Sequence, residues 1–365
     1  MLNSRLLAKL SIIAAALSAT GAYAQSSVTL YGIADVSVRY LTNDNANNDS
    51  RVFMTNGAIS NSRWGVKGSE DLGGGLSAIF RLESGIELQN GEGDGALFNR
   101  SAYVGLSSNQ WGTLTAGRQY SPLFDQLSNT YDPLTVGNYE QNEWLPVALS
   151  DGMRFNNTVK YNGTFGGLNV EGLYGFGNQA GSVGADSTYA FTASYTLSGL
   201  SVDGGFQQIS DVNNNHEKVA NLGAVYAFNT VHAYAGWIYS HDNTGNVDTL
   251  MWELSDASAP NGGHFLTGTG RIDNGFYAGA AWQATAPLTL TAAAYYDRMK
   301  NALEDNGTLG DGNRLALVGV AEYALSKRTE VYGTVDYNRG SGAATANFPG
   351  RNNQTGVAIG FRNIF

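Results

Sequence analysis

The chain has 365 residues, a formal net charge of −10 and only 14% charged residues, with 47 glycines, 20 tyrosines, 6 prolines and no cysteine. The acidic balance argues against a nucleic-acid partner, which needs a basic patch, and the missing cysteine excludes disulfides. No apolar run after residue 24 is long enough for a membrane-spanning helix.

Residues 1–24 read as a signal peptide. Arg5 and Lys9 form a charged start, residues 10–19 an apolar core broken only by serines, and Ala22-Tyr23-Ala24 a small-x-small cleavage site. Loss of those two positive charges takes the net charge to −12. The expected mature chain, 25–365, is one domain.

Along that domain the main signal is period-two alternation, which sends successive side chains to opposite faces of a strand. In 28–40, Leu30, Val36, Val38 and Tyr40 oppose Tyr31, Asp35, Ser37 and Arg39. In 76–88, Leu76, Ala78, Phe80, Leu82 and Ile86 oppose Ser77, Arg81, Glu83 and Glu87. Similar alternation runs through 189–197, 231–239 and 330–338, whereas 314–325 alternates poorly. Sixteen strands are expected, beginning near Val28, Arg63, Leu76, Asn99, Thr113, Arg154, Leu168, Ser187, Leu200, Lys218, Val231, Gly275, Leu288, Arg314, Thr329 and Gln354. Seven short turns, such as 71–75, 109–112 and 165–167, alternate with eight longer loops rich in Asn, Asp and Gly, such as 42–61, 240–273 and 298–313.

One connection stands apart. After Thr113-Leu-Thr-Ala-Gly-Arg118 the chain leaves any regular pattern until Arg154-Phe-Asn-Asn-Thr-Val-Lys-Tyr161. This stretch carries Asp125, Asp132, Glu140, Glu143 and Asp151, with no Lys or Arg before Arg154. A loop this long is functional or disordered. Tyr131, Tyr139, Trp144 and Leu145 need burial, which argues against disorder. The loop, about 120–153, is expected to fold into the bore of a barrel, with its acids facing a wall of arginines.

Short turns at one end, long polar loops at the other, apolar residues outside, polar residues inside and an even strand count form the pattern of an outer-membrane barrel. Closure is required because lipid offers no partner to a free strand edge. The fold expected is therefore all-β: a transmembrane, sixteen-stranded, antiparallel up-and-down barrel with an inward-folded third outer loop, in the outer membrane of a Gram-negative cell. Tyr40, Trp64, Trp237 and Trp282 at strand ends suit an interfacial girdle.

Three motifs carry a family resemblance: Ser62-Arg-Trp-Gly-Val-Lys-Gly-Ser-Glu-Asp-Leu72, Ala116-Gly-Arg-Gln-Tyr-Ser121, and Arg154-Phe-Asn-Asn-Thr-Val-Lys-Tyr161. With them the chain resembles the general-diffusion porins of Gram-negative bacteria, and most the proteobacterial group beginning Ser-Val-Thr-Leu-Tyr-Gly, found here from Ser27 to Gly32. The C-terminal Phe365, with Phe361, Ile359 and Val357 at alternate positions upstream, matches the signal that such barrels present to the insertion machinery, although Asn363 interrupts the alternation. The resemblance implies a homotrimer in lipid and lipopolysaccharide, no cofactor, and passive diffusion of ions and small hydrophilic solutes. It also implies a charged eyelet, in which Arg63, Arg118 and Arg154 match the family's wall arginines and Glu83, in Phe-Arg-Leu-Glu, a lumen acid. Arg39 and Arg81 join the wall by strand phase alone. Asp125, Asp132, Glu140 and Glu143 are the loop acids expected to face it. Strict alternation puts Arg118 with Leu114 and Ala116, so either a bulge intervenes or this part of the wall is lined by protein. The best-known porin loop contains a Pro-Glu-Phe-Gly-Gly segment that is missing here.

Two other functions compete. A channel selective for an organic acid or sugar would place aromatic residues such as Tyr131 and Tyr139 along the pore. A barrel hydrolase would need a Ser/His or Asp/His arrangement at the outer rim. Of four histidines, His216, His232, His241 and His264, the least dismissible is His241, which sits beside Asp242 where a strand enters a loop. There is no Gly-x-Ser-x-Gly or P-loop, and His216-Glu217 is followed by Ala220 where a zinc protease needs a second histidine. The oxygen-rich Asp44-Asn-Ala-Asn-Asn-Asp49 matches no defined cation loop. The reading is therefore a channel with no catalytic, metal or cofactor residues.

Overall fold

The computed structural model describes residues 26–136, 145, 153–253 and 267–365. The expected signal peptide, Glu140, Glu143 and His264 lie outside the described residues.

Sixteen long strands form one antiparallel sheet. The first eight are β1 (Ser27–Leu41), β2 (Arg63–Gly73), β3 (Leu76–Glu87), β4 (Ser101–Ser108), β5 (Gly112–Tyr120), β6 (Arg154–Phe165), β7 (Leu168–Gly175) and β8 (Thr188–Leu197). The second eight are β9 (Leu200–Ser210), β10 (His216–Phe228), β11 (Val231–Asp242), β12 (Arg271–Gln283), β13 (Leu288–Leu303), β14 (Leu309–Ala324), β15 (Thr329–Gly342) and β16 (Asn353–Ile364). Each pairs with its sequence neighbours, and β1 closes the ring. Its first half pairs with β2, from Ser27↔Ser69 to Ile33↔Arg63. Its second half pairs with β16, from Ile33↔Ile364 to Leu41↔Gly356. At the seam the Gly32 and Phe365 main chains exchange two hydrogen bonds of 3.1 Å. No free edge remains along that seam, as a lipid-embedded sheet requires.

The alternation becomes the two faces of the wall. Leu30, Val38, Phe191, Leu222, Val335 and Ile359 are exposed on the outside, while Asp35, Arg39, Thr192, Asp336 and Asn338 are buried inside. In water the outer belt would be unfavourable. In hydrocarbon each fully covered aliphatic side chain contributes about 1.5–3 kcal/mol.

Three expectations change. The 298–313 loop shrinks to a five-residue connection, because β13 runs on to Leu303 and β14 starts at Leu309. Above the lipid both strand faces can be polar, so alternation fades before the strand ends. The 42–61 loop holds a short strand, Arg51–Thr55, paired with Ser37 to Leu41 of β1. The segment after β5 is not patternless: Pro122–Gln126 is a short helix (α1), followed by a π turn, Leu127–Tyr131. Ser121 caps the helix, its Oγ accepting from the Phe124 N–H at 3.1 Å, and Pro122 sits in the first turn, where no N–H is needed.

The poor alternation of β14 has a packing cause. Ala316, Val318 and Val320 face inward yet are apolar, because they belong to a core inside the bore. That core joins Leu123, Leu127 and Leu145 of the 120–153 segment to Leu173, Ala190, Val219, Ile238, Tyr277 and Tyr295 of the wall. A second helix, α2 (Asn246–Glu253), adds Val247 and Met251.

Candidate functional site

The segment after β5 is held to the inner wall at successive points. Lys160 of β6 pairs with Asp125 and, at 2.8 Å, with Glu171 of β7. Gln126 donates to Asn169 and Glu171 at 3.0 and 3.1 Å. The Tyr131 hydroxyl bonds Ser201 of β9 at 2.7 Å. Its ring lies over Gly223, where a Cβ would come within 3.2 Å of Tyr131 and 2.2 Å of Asp203 Oδ1. Gly223 therefore permits the close approach of loop to wall. Asp132 accepts from Tyr295 of β13 at 2.6 Å and from the N–H groups of Leu134 and Val136 at 3.2 and 2.6 Å. Burial pushes the Asp132 carboxyl up to about 6.

Facing α1 is a group of arginines. Arg63, Arg81, Arg100 and Arg154 line one cavity of about 280 Å³, together with Ile59, Asn61, Tyr120, Phe124, Asp125, Ser128, Asn129 and Thr135. Glu83 is the hub of the wall side. It accepts from Arg100 Nε at 3.0 Å, from Tyr31 at 2.8 Å, and from Arg81 Nη2. Arg81 Nε also donates to Tyr31 at 2.6 Å. Tyr120 is the second hub: its hydroxyl accepts from Arg100 Nη2 at 2.8 Å and from Arg154 Nη2 at 2.7 Å. Two of the four guanidinium groups, those of Arg81 and Arg100, thus share the Glu83 carboxylate, while Asp125, which lines the same cavity, is paired with Lys160. The Nε of Arg63, Nη1 of Arg100 and Nε of Arg154 are buried without a protein acceptor among the described residues. Isolated buried charges are costly, so these nitrogens are positioned to take up an acceptor.

The structure brings together Arg63, Arg81, Arg154, Glu83 and Asp125 of the expected residues, and separates three others. Arg39 is spent on Asp336 through bonds of 2.8 and 2.9 Å. Asp132 is turned to the opposite wall, where it anchors the loop instead of facing arginines. Arg118 follows the phase and not the motif. The bulge is present, but it lies on β6, where Asn156 and Asn157 together oppose Arg118. On β5 the buried Thr115 and Gln119 keep the inner phase, bonded to each other at 2.6 Å. Arg118 is left to donate to the Asn99 carbonyl and Asn156 Oδ1 at 2.6 and 2.7 Å.

Sequence reasoning missed Arg100, Tyr120 and Lys160 as site residues. Arg100 precedes β4 in the phase of Ala102 and Val104, which reads as outward. Only the turn of the chain into the strand brings it inside. Lys160 was readable, since it shares a face with Thr158. The oxygen-rich 44–49 loop spends its acids internally: Asp44 pairs with Arg51 at 2.6 Å and Asp49 with Asn45 at 3.0 Å. Among the described residues no cluster of acids or histidines suits a metal.

Comparison with known proteins adds the following. The chain matches the model of the Gram-negative porin family over residues 11–343. It is 30% identical to an outer membrane porin protein of Bordetella pertussis and 31% identical to outer membrane porin protein 32 of Delftia acidovorans, in each case over 98% of this chain and 100% of the relative. Among solved structures it resembles an anion-selective porin from Comamonas acidovorans, with a TM-score of 0.74 at 25% identity, covering 93% of this chain and 100% of that one. OmpT of Vibrio cholerae, described in a trimer form, shares the fold with a TM-score of 0.63 at 14% identity.

Proposed function

The chain belongs to the Gram-negative porin family, and we propose that the arginine-lined side of its bore is the selective path and favours anions. As a porin it is an outer-membrane β-barrel channel that passes ions and small hydrophilic solutes by passive diffusion, and not an enzyme.

The observation that carries the selective role is the group Arg63, Arg81, Arg100 and Arg154, set among the described residues against Glu83 and Asp125. Cavities continue from it in both directions. Towards the outer mouth, Arg154 is shared with a cavity lined by Asp186 and Asp211. Towards the short turns, Arg81, Tyr120 and Asp125 are shared with a cavity that includes Lys160. Arg81, Ile79 and Tyr103 then lead to one lined by Ser27, Lys67 and Ser69. Basic groups recur from the arginine cavity towards the short turns, while the outer cavity joins Arg154 to the acids Asp186 and Asp211. Low-dielectric walls focus their field, and charged rings select ions by local electrostatics. The anion-selective description of the Comamonas porin agrees with this reading. In this scheme Asp125 and Glu83 position the basic side chains, while Arg39 and Asp132 hold the barrel and the loop. A channel for one preferred solute has no comparable support.

Reversal potential across a planar bilayer under a salt gradient tests the selectivity. Anion preference is expected; a cation-selective channel would overturn it.

The functional unit is a homotrimer in lipid and lipopolysaccharide, and the first 24 residues are removed on export. Arg118, in the outward phase, is better accommodated by a protein neighbour than by hydrocarbon, where an arginine at mid-depth costs about 2–4 kcal/mol. Phe365 is read by the insertion machinery: F365A should accumulate unassembled, and normal assembly would remove that role. Conductance steps grouped in threes would support the trimer, and single steps would count against it.

A further inference from the structure

We propose that Tyr120 is a specificity-determining residue, whose hydroxyl donates a hydrogen bond to the permeating anion and so favours oxyanions over halides. The inference rests on the anion-conducting reading above.

A tyrosine hydroxyl has one hydrogen to donate and two lone pairs to accept with. Both lone pairs of Tyr120 are claimed, by Arg100 Nη2 at 2.8 Å and Arg154 Nη2 at 2.7 Å. Neither guanidinium can accept in return. The hydroxyl hydrogen must therefore go elsewhere, and no protein acceptor takes it among the described residues. Tyr120 lines the arginine cavity and the one below it, of about 280 and 250 Å³. We infer that the remaining direction around the oxygen is turned to these cavities, where a solute can take the hydrogen.

The ring is fixed from two sides. Phe124 of α1 stacks on it with centroids 5.1 Å apart and planes 11° from parallel. The Arg154 guanidinium lies 4.5 Å from the ring centre. The donor is thus pre-organised and needs no rearrangement when an ion arrives. Two charged donors on the phenol oxygen also polarise its O–H bond, which strengthens it as a donor.

This separates two kinds of recognition. The charges of the arginines attract every anion. The Tyr120 hydrogen rewards an oxygen acceptor held in a defined direction, whereas chloride is a spherical acceptor that gains nothing from direction. The arginine forks favour oxyanions as well, so the contribution of Tyr120 is read from its removal and not from the wild-type ratio.

The experiment uses the full-length protein, purified from outer membranes, in planar bilayers. Reversal potentials under a sodium chloride gradient give the anion-to-cation ratio. Bi-ionic potentials give nitrate and formate permeability relative to chloride. Tyr120→Phe keeps the ring but takes the acceptor from Arg100 and Arg154 as well as the donor from the solute. Its oxyanion-to-chloride ratio should fall about two- to fivefold, the size of one hydrogen bond in a wet site, and by a larger factor than its anion-to-cation ratio. Difluorotyrosine at position 120, a stronger donor of the same shape, should raise the oxyanion ratio in weakly acidic buffer. An unchanged oxyanion ratio in either variant would overturn the inference. So would a parallel fall of both ratios in Tyr120→Phe, since Tyr120 would then merely space the arginines. If the wild type itself prefers cations, the anion-conducting reading fails first and takes this inference with it.

Discussion

The two sides of the bore are built from the same alternating strands and do opposite things. From β2 to β6 the inward side chains are charged or polar for the most part, border open cavities and, among the described residues, leave N–H groups without protein acceptors. From β7 to β14 many are small or apolar and are covered by the 120–153 segment and α2. The covered side fixes where the loop sits; the charged side meets what passes. A polar lumen is thus not a property of every strand. Where a segment packs on the inner face, the wall is apolar or its charges are paired and buried, as at Arg271.

If the covered side is structural, damage there should appear first as lost stability. The largest effect is expected at Arg271. It is buried between Asp248 of α2 and Asp273, with Arg271–Asp273 bonds of 2.8 and 2.9 Å. Arg271→Ala strands two buried carboxylates and should cost about 3–5 kcal/mol. Thermal unfolding in detergent would measure it, with little change in reversal potential. Next comes Leu127→Ala, which opens a hole in the covered core and should cost about 2–5 kcal/mol. Its conductance should rise as the loop loosens; unchanged conductance would mean that the loop does not limit flow.

The anchor at Asp132 makes a pH-dependent test. Its carboxyl is raised from the ordinary 3.8 to about 6 by burial. A raised value favours the protonated, folded form, so its contribution is complete below about pH 4 and is lost as pH rises through about 6. The linked free energy is at most about 3 kcal/mol. Asp132→Asn stays neutral throughout and should flatten this dependence. Limited proteolysis of the loop at about pH 4 and about pH 8 would compare the two; equal dependence in both proteins would remove Asp132 from the linkage.

The smallest stability effect belongs to the charged side. Arg154→Ala removes a largely buried guanidinium that forms no ion pair among the described residues, only a bond to the Tyr120 hydroxyl, and should cost about 1 kcal/mol. Its reversal potential should nonetheless move towards cations. A variant that loses stability without that shift would erase the distinction between the two sides.

The sequence by itself determined the strand count, the two faces of most strands, the short and long ends of the barrel and the family. These follow from local alternation and turn composition, which need no partner to be read. It also placed Arg63, Arg81, Arg154 and Glu83 near one another by phase and motif, and offered Asp125 as one of four loop acids. Only the tertiary structure decided the rest. It turned Asp132 away to Tyr295, spent Arg39 on Asp336, left Arg118 in the outer phase, and brought in Arg100 and Tyr120. It also filled half of the bore with an apolar core that makes β14 alternate poorly. The physical reason is range. Alternation is set by the backbone of one strand, whereas a charge's role depends on which distant side chain reaches it first.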